Sequence, residues 1–459
     1  MSSEPRTVDV ALLIDRRPLG RFNYRVIVLS WLITAFDGLD QLMIGFTAPY
    51  MRDELHLTNT MIGYLVSAGL AGMTIGGFLF TYVADRIGRR PTIIATAFAF
   101  GILTAATAAA SSYHALLFMR FVNGLPIGGL IPLAWALNIE FVPRRIRSTV
   151  VTIIMVGYSF GGSVVGPLTN LLAPQYGWQG VYFIAGIGTL CCAGALWIGL
   201  PESIRFLVIK GRRPDLVVRT LKRLDASCDV TPTDRFVLND EVRTDPGFRV
   251  GDYFRGNLRF ITPLLWLGYL MSSLAIFVLS SWSPIIIESL QFPRRTAALV
   301  ASISSALAAC AALVLMRFTD RLGPGAITVC SAAAVPVLLL VGFGVVPHDA
   351  FLYITVAGAI LLSAMHFGMH SIAGIYYPSA IRASGGGLAT SVAKLGAILG
   401  PIIAGTVLSS GMPVVRIYAL LAVCPAVVSV CVLGIAAAVR AGDPSAAMAK
   451  PLALSGDRT

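Results

Sequence analysis

The segment TYVADRIGRRP at residues 81–91 recurs in weaker form as MRFTDRLGPG at residues 316–325. Asp85 in the first copy and Asp320 in the second are separated by 235 positions. Four further markers share this separation to within one position: Trp31 and Trp266, Pro49 and Pro284, Pro143/Arg147 and Pro378/Arg382, and Gly166-Pro167 and Gly400-Pro401. Because five markers share one offset, the sequence predicts two homologous halves.

Twelve apolar runs of membrane-spanning length follow one another along the chain. They cover residues 24–47, 59–83, 91–111, 114–140, 148–171, 179–200, 259–284, 296–317, 325–346, 350–373, 383–409 and 413–440. The composition agrees, because 56% of the residues are hydrophobic and 13% are charged, against about 25% charged in soluble proteins. The chain is therefore predicted to be an all-α polytopic membrane protein with twelve transmembrane helices.

The repeat divides these spans into two pseudo-symmetric six-helix bundles. We expect one bundle at residues 1–200, a basic cytoplasmic loop at 201–258 and a second bundle at 259–459. The N-terminal region has no convincing cleavage site, so the first span is expected to be retained. Two such repeats are the arrangement of an alternating-access transporter, whose substrate is expected between the halves near the bilayer midplane.

Lys and Arg are distributed unevenly among the segments that connect the spans. If both termini are cytoplasmic, most of the 35 Lys and Arg residues fall on the cytoplasmic side. The outer segments then hold only Arg52, Arg294, Arg295 and Arg416. This asymmetry follows the positive-inside rule and predicts both termini in the cytoplasm. The net charge of +12 is thereby explained by topology, and no nucleic-acid partner is expected.

Four charged residues lie inside the predicted spans: Asp37, Asp40, Arg120 and Lys394. At the offset of 235 they correspond to uncharged residues in the other half, namely Ser272, Ala275, Thr355 and Ser159. The repeated fold therefore does not require them, and buried charges in membrane spans are usually functional. We expect Asp37 or Asp40 to carry a proton, and Lys394 with Arg120 to attract a substrate anion. A packing role for the acids is the alternative.

Several motifs together resemble the major facilitator superfamily, and within it the aromatic acid–proton symporter family. They are TYVADRIGRRP, DGLD (37–40), RFVNGLPIGGLIP (120–132), EFVPRRIRS (140–148), GGSVVGP (161–167), PESIRFL (201–207), SWSP (281–284) and YYPSAIRASGGG (376–387). Where that family typically has a glycine-arginine pair, this chain has Ala393-Lys394. The resemblance implies proton-coupled import of an aromatic, benzoate-like carboxylate by alternating access.

Three uncharged or weakly basic side chains complete the predicted substrate site. Tyr158 could stack on an aromatic ring, and Ser159 is the repeat counterpart of Lys394. His366 stands four residues from His370, so both share one helix face. For the histidines, a satisfied interior position and a proton relay both remain open. No further ligands indicate a metal site, and no phosphate-binding loop is present.

Charged residues near the predicted cytoplasmic ends of the spans are candidates for gates and interhelical clasps. Glu140 could instead form a purely structural ion pair with the arginines that follow it. The predicted gating residues are Asp85, Arg86, Arg89, Arg90, Glu140, Arg147, Asp320 and Arg382.

The sequence as a whole indicates a secondary transporter of the bacterial inner membrane that works as a monomer, without a metal or cofactor. An enzyme is not expected, because the five histidines form no catalytic cluster with Ser or Asp. Two alternatives stay open for the substrate. One is another organic anion, such as a dicarboxylate of the muconate type or a nicotinate-like acid, and the other is export of a metabolite or drug.

Overall fold

A computed structural model describes residues 6–211, 213–224, 228–238, 250–322, 325–377 and 382–442. The helices before the central segment are α1 (Val10–Asp15), α2 (Arg21–Leu55), α3 (Asn59–Ile87), α4 (Arg89–Thr107), α5 (Tyr113–Phe141) and α6 (Arg147–Gly199). The central segment contains α7 (Ile204–Lys210) and α8 (Pro214–Leu224). The later helices are α9 (Leu258–Ser289), α10 (Arg294–Leu322), α11 (Gly325–Gly342), α12 (His348–Tyr376), α13 (Arg382–Ser409), α14 (Arg416–Leu421) and α15 (Val423–Gly442).

These helices account for every predicted span. Within the described residues, nine helical segments are long and apolar enough to cross a membrane, and a shorter apolar helix covers Ile327–Gly342. Helix α6 contains the fifth and sixth spans, and α14 with α15 forms the last. The prediction of an all-α polytopic protein is therefore confirmed, and the chain is a multi-pass membrane protein.

A bend at Gly177 separates the two spans that α6 contains. The residue has φ of +66°, a left-handed conformation that side chains other than glycine rarely adopt. Glu54 at the end of α2 accepts hydrogen bonds from Trp178 Nε1 at 2.9 Å and from Gln179 Nε2 at 2.7 Å. These two bonds attach the kink to the end of α2 and so fix its position.

The chain forms two compact units. Unit 1 contains Met1–Arg243, Phe277–Ala309 and Ile398–Ile417, and unit 2 contains Thr244–Ile276, Cys310–Ala397 and Tyr418–Thr459. Parts of α9, α10 and α13 thus belong to unit 1 together with α2–α6. The predicted domains at 1–200, 201–258 and 259–459 stay a prediction.

Glycines bring the helices of unit 1 into backbone contact. A Cβ atom at Gly161 of α6 would collide with the carbonyl oxygen of Ala35 in α2. A Cβ atom at Gly76 of α3 would collide in the same way with the carbonyl oxygen of Leu125 in α5. Small residues at helix crossings are typical of membrane bundles, where association depends on close packing. This packing fixes the position of α2, the helix that carries Asp37 and Asp40.

A short parallel strand pair was not expected from the sequence. Strand β1 (Thr7–Asp9) pairs with β2 (Arg235–Val237), with Thr7 opposite Arg235. The N-terminal segment that follows β1 is held further on, because Asp15 forms an ion pair with Arg144 at 3.3 Å. The two strands are three residues long and come from distant parts of the chain, so no periodic pattern in either segment could reveal them.

Candidate functional site

Asp40 of α2 is buried and fully paired. Its Oδ2 accepts from Arg120 Nη1 of α5 at 3.0 Å. Its Oδ1 accepts from Thr104 Oγ1 of α4 at 3.2 Å and from Asn123 Nδ2 of α5 at 3.2 Å. Hydrogen bonds and an opposite charge stabilise the ionised form of a buried carboxylate. Asp40 is therefore held as a charged partner of Arg120.

Asp37, three residues earlier on α2, has a different environment. The residue as a whole is 1% exposed, as is Asp40. Neither of its carboxyl oxygens has a hydrogen-bond partner among the described residues. An ionised carboxylate without a partner is strongly disfavoured away from water. The two acids on this helix thus differ in pairing although they are equally buried.

Helix α6 passes directly beside Asp37. A Cβ atom at Gly38 would collide with the carbonyl oxygen of Tyr158. The half-buried Tyr158 therefore lies next to the two acids, and Ser159 is buried beside it. The structure brings these two predicted substrate-site residues together with Asp37 in unit 1. Their binding of a substrate stays a prediction.

Arg120 is enclosed within the bundle. Its side chain is 2% exposed, and a Cβ atom at Gly69 of α3 would lie 3.2 Å from its Nη2. Glycine at this position thus leaves room for the guanidinium. The sequence analysis placed Arg120 with the substrate anion, whereas the structure pairs it with Asp40. A contact between Arg120 and substrate stays a prediction.

Thr104 and Asn123 were missed by the sequence analysis. Both are buried, and both bind the same oxygen of Asp40. Asn123 follows Arg120 by three residues, so the two share a helix face. A second polar residue on the Arg120 face of an otherwise apolar span was a signal that could have identified Asn123. Thr104 offered no comparable signal, because threonine is common in membrane helices.

The remaining predicted substrate residues belong to unit 2. Lys394 is half-buried on α13, about 18 Å along the helix from its first residue at 1.5 Å per residue. His366 of α12 contacts Ser272 of α9, with 3.3 Å between Nδ1 and Oγ. Ser272 is the repeat counterpart of Asp37 in the sequence.

A buried charged cluster joins α4, α5 and the start of the central segment. Glu140 forms an ion pair with Arg89 and accepts from Ser203 Oγ at 2.7 Å. Glu202 Oε1 accepts from three backbone N–H groups, those of Arg89 at 2.9 Å, Arg90 at 3.1 Å and Ser203 at 2.8 Å. A carboxylate at a helix N-terminus satisfies unpaired N–H groups and the helix dipole. Glu202, also missed from sequence, thus caps α4.

Two further arginines of this region bind within unit 1. Arg90 donates from Nε to the carbonyl of Leu200 at 2.8 Å and from Nη2 to that of Trp197 at 2.7 Å. These bonds satisfy carbonyls at the end of α6 and hold it against α4. The guanidinium of Arg86 lies 4.3 Å from the ring centroid of Tyr82. Arg90 therefore acts as an interhelical clasp.

The other predicted gating residues make few contacts with described residues or lie outside the described part of the structure. Asp85 is exposed and forms no ion pair with a residue that the structure describes. Arg147 donates from Nε to the carbonyl of Val142 at 3.4 Å. The side chains of Asp320 and Arg382 lie outside the described part of the structure. Gating by the eight residues named above stays a prediction.

The cap on α4 leads to a stability prediction. Glu202→Ala removes the acceptor of three N–H groups, and loss of a helix cap costs about 0.5–2 kcal/mol. We expect a lower thermal unfolding temperature of the purified protein in detergent. Asp85→Ala is the matched control, because removal of an exposed acid costs at most about 0.5 kcal/mol. Equal losses in the two variants would contradict the capping role.

A second charged network, also missed from sequence, joins α2, α9 and α10 in unit 1. Arg294 binds Asp53 at 2.6 Å and Glu288 at 2.7 Å, and Arg52 lies 3.8 Å from Glu288. The guanidinium of Arg294 also lies 5.2 Å from the ring centroid of Tyr50. The sequence analysis used the two arginines only to assign topology. Asp53 and Glu288 lie at the same span ends in the sequence, and these acidic residues could have revealed the network.

The helical spans and the enclosed charged residues define a multi-pass membrane transporter. A family model of the Major Facilitator Superfamily matches residues 30–242 and 265–455, and the chain belongs to that superfamily. It is therefore a transporter, not an enzyme.

Relatives and solved structures agree with this assignment. The chain is 30% identical over 416 residues to a gallate transporter of Pseudomonas putida, covering 90% of this chain and 92% of that protein. It is also 30% identical over 416 residues to the 4-hydroxybenzoate transporter PcaK of the same organism, covering 89% and 92%. The fold resembles that of a bacterial homolog of the human lysosomal transporter Spinster, with a TM-score of 0.71, 16% identity and coverage of 94% and 99%.

Proposed function

We propose that this protein imports an aromatic carboxylate together with protons across the bacterial inner membrane, with both termini in the cytoplasm. Two relatives that match about nine-tenths of the chain are named for gallate and 4-hydroxybenzoate. Both compounds are benzoates with ring hydroxyl groups. The shared chemistry supports a substrate with one aromatic ring and one carboxylate.

Asp37 is the proton carrier in this proposal. The observation that supports it is the contrast between Asp37, with no described partner for either oxygen, and Asp40, with three donors. Burial without a partner favours the neutral acid. Ionisation of Asp37 would also place a second negative charge one helical turn from Asp40, which disfavours it further. Asp37 therefore holds a proton while it is enclosed and releases it when water reaches it.

Asp40 and Arg120 have a supporting role in the same proposal. Their ion pair is buried, with 2% exposure of each side chain. Removal of one partner of such a pair leaves an uncompensated charge, so the pair is costly to break. Asp40 is thereby excluded from the proton cycle as long as Arg120 remains beside it. The fixed charge of Asp40 instead tunes the protonation of Asp37.

Lys394 supplies the positive charge that the substrate carboxylate needs. It lies well inside α13, where an ammonium group is retained only for a function or a partner. One proton carried with one monovalent anion is an electroneutral process. Accumulation is then driven by the pH gradient alone, by about tenfold per pH unit.

Uptake into vesicles containing the purified protein tests the proposal. With an acidic exterior, we expect accumulation of radiolabelled 4-hydroxybenzoate or benzoate that rises about tenfold per unit of pH difference. Collapse of the pH gradient with a protonophore should abolish the accumulation but leave exchange of labelled for unlabelled substrate. Absence of uptake for both compounds, or uptake that ignores the pH gradient, would contradict the proposal.

Substitution of Lys394 tests the substrate site separately. Lys394→Ala should weaken binding of 4-hydroxybenzoate at least tenfold, or about 1.4 kcal/mol, which exceeds the value of most surface ion pairs. Lys394→Arg should restore part of the affinity, because it keeps the charge and changes its geometry. Binding is measured by isothermal titration of purified protein at several pH values.

The exposed Lys222 on α8 provides the matched control. Lys222→Ala also removes one positive charge but should leave the affinity unchanged, since long-range charge effects are screened by salt. If Lys394→Ala shifts only the pH optimum and keeps full affinity at that optimum, Lys394 does not bind the substrate.

A further inference from the structure

Four polar or aromatic side chains form a cluster in unit 2 that the proposed proton and carboxylate sites do not use. His366 Nδ1 lies 3.3 Å from Ser272 Oγ. The rings of His366 and His370 meet edge to face with centroids 5.0 Å apart. Tyr269 packs against His370 in the same manner at 5.3 Å. Since Tyr269 and Ser272 are neighbours on α9, the cluster is closed.

The hydrogen bonds of Ser272 favour one tautomer of His366. Ser272 Oγ lies 3.1 Å from the backbone carbonyl oxygen of Tyr269, to which its hydroxyl can donate. With the hydroxyl proton in that bond, Ser272 accepts from Nδ1 of His366, so the tautomer with a proton on Nδ1 satisfies both contacts. A neutral imidazole with a proton on Nδ1 carries a lone pair on Nε2. His366 therefore presents a hydrogen-bond acceptor.

The two histidines lie on one side of α12. His366 is half-buried and His370 is exposed. Tyr353 and Ala357 form the exposed face of the same helix nearer its start. At 100° per residue, His366 lies on the opposite side from Ala357. The histidines are thus turned away from the surface that Tyr353 exposes.

The cluster lies well inside its helix. Tyr269 is about 16 Å from the first residue of α9 at 1.5 Å per residue. Lys394 is about 18 Å from the first residue of α13. Helices α9 and α13 touch in this region, because a Cβ atom at Gly396 would collide with the carbonyl oxygen of Leu270.

We infer that this cluster recognises a hydroxyl group on the ring of the transported acid, with Nε2 of His366 accepting the phenolic O–H. The inference rests on the proposed function and specifies the substrate as a hydroxylated aromatic acid. A carboxylate does not fit this position, because it offers only acceptors to an acceptor. A metal ion is also disfavoured, since no third His, Cys, Asp or Glu joins the pair among the described residues.

The ring contacts give the other members of the cluster positioning roles. Tyr269 and His370 hold the plane of the His366 ring through edge-to-face contacts. Ser272 fixes the proton on Nδ1. A substrate without a hydroxyl would leave Nε2 unpaired after water is displaced, and buried unpaired acceptors are unfavourable. The site therefore selects hydroxylated rings over plain ones.

Binding of benzoate, 3-hydroxybenzoate and 4-hydroxybenzoate to purified protein tests the inference. We expect the wild-type protein to bind the better hydroxylated compound about tenfold more tightly than benzoate. His366→Phe should reduce this preference to about onefold, because neither acid then meets an acceptor at this position. His366→Gln, whose side-chain oxygen can accept a hydrogen bond, should retain part of the preference.

The matched control is His370→Phe, which keeps an aromatic ring beside Tyr269 and should leave the preference intact. Benzoate binding reports that each variant is folded, and the glutamine variant replaces the phenylalanine variant if the latter is unstable. A wild-type protein without a hydroxyl preference, or an unchanged preference in His366→Phe, would overturn the inference. Failure of the wild-type protein to bind all three acids would instead contradict the proposed function.

Discussion

Asp37→Asn is expected to abolish uphill accumulation of the aromatic acid, so that internal and external concentrations become equal. An asparagine amide cannot take up or release a proton, whereas it resembles the neutral carboxylic acid in shape. Binding of the substrate should therefore persist. Exchange of labelled for unlabelled substrate across the vesicle membrane should also persist, because exchange needs no net proton movement. Both activities are measured in vesicles that contain equal amounts of protein.

Asp40→Asn is the matched comparison for stability, because it makes the same chemical change one helical turn away. This substitution leaves Arg120 buried beside a neutral amide, which removes the opposite charge that stabilises it. We expect a loss of folded protein, in contrast to the intact fold of Asp37→Asn. Full proton-driven accumulation by Asp37→Asn would remove Asp37 from the proton pathway.

Arg120→Leu is expected to have the largest effect on stability. It leaves Asp40 buried with the hydrogen bonds of Thr104 and Asn123 but without a positive charge. Removal of one partner of a buried ion pair costs about 3–5 kcal/mol. Thermal unfolding of the purified protein in detergent measures this effect.

A second substitution distinguishes charge from packing in this experiment. Arg120→Leu combined with Asp40→Asn removes both charges, so it should recover most of the lost stability. If the double variant is as unstable as Arg120→Leu alone, Arg120 contributes by filling space, and the ion pair is not the stabilising feature.

The architecture was largely predictable because membrane spans leave a strong signal in the sequence. Each needs about 20 apolar residues, so their positions can be read from the sequence. The grouping of the spans that the repeat of Asp85 at Asp320 indicates stays a prediction. The strand pair of Thr7–Asp9 and Arg235–Val237 left no such signal. The two strands pair because the rest of the fold brings them together, and a local sequence pattern does not record this pairing.

The sequence predicted which charged residues belong to the candidate site, but it did not predict which residues they bind. A buried charge is conspicuous in an apolar span, and both Asp37 and Asp40 were identified for this reason. Nothing in the sequence DGLD shows which of the two has a partner. That difference depends on Thr104 and Asn123, which reach Asp40 from two other helices. The same applies to His366, whose contact with Ser272 joins helices far apart in the chain.

Simultaneous recording of proton and substrate movement tests the central claim most directly. Vesicles with a pH-sensitive dye inside receive external 4-hydroxybenzoate, and labelled substrate is counted in the same sample. The wild-type protein should acidify the interior as substrate enters, whereas Asp37→Asn should admit substrate down its concentration gradient without any acidification. Substrate-dependent acidification by Asp37→Asn at the wild-type rate would contradict the assignment of the proton to Asp37.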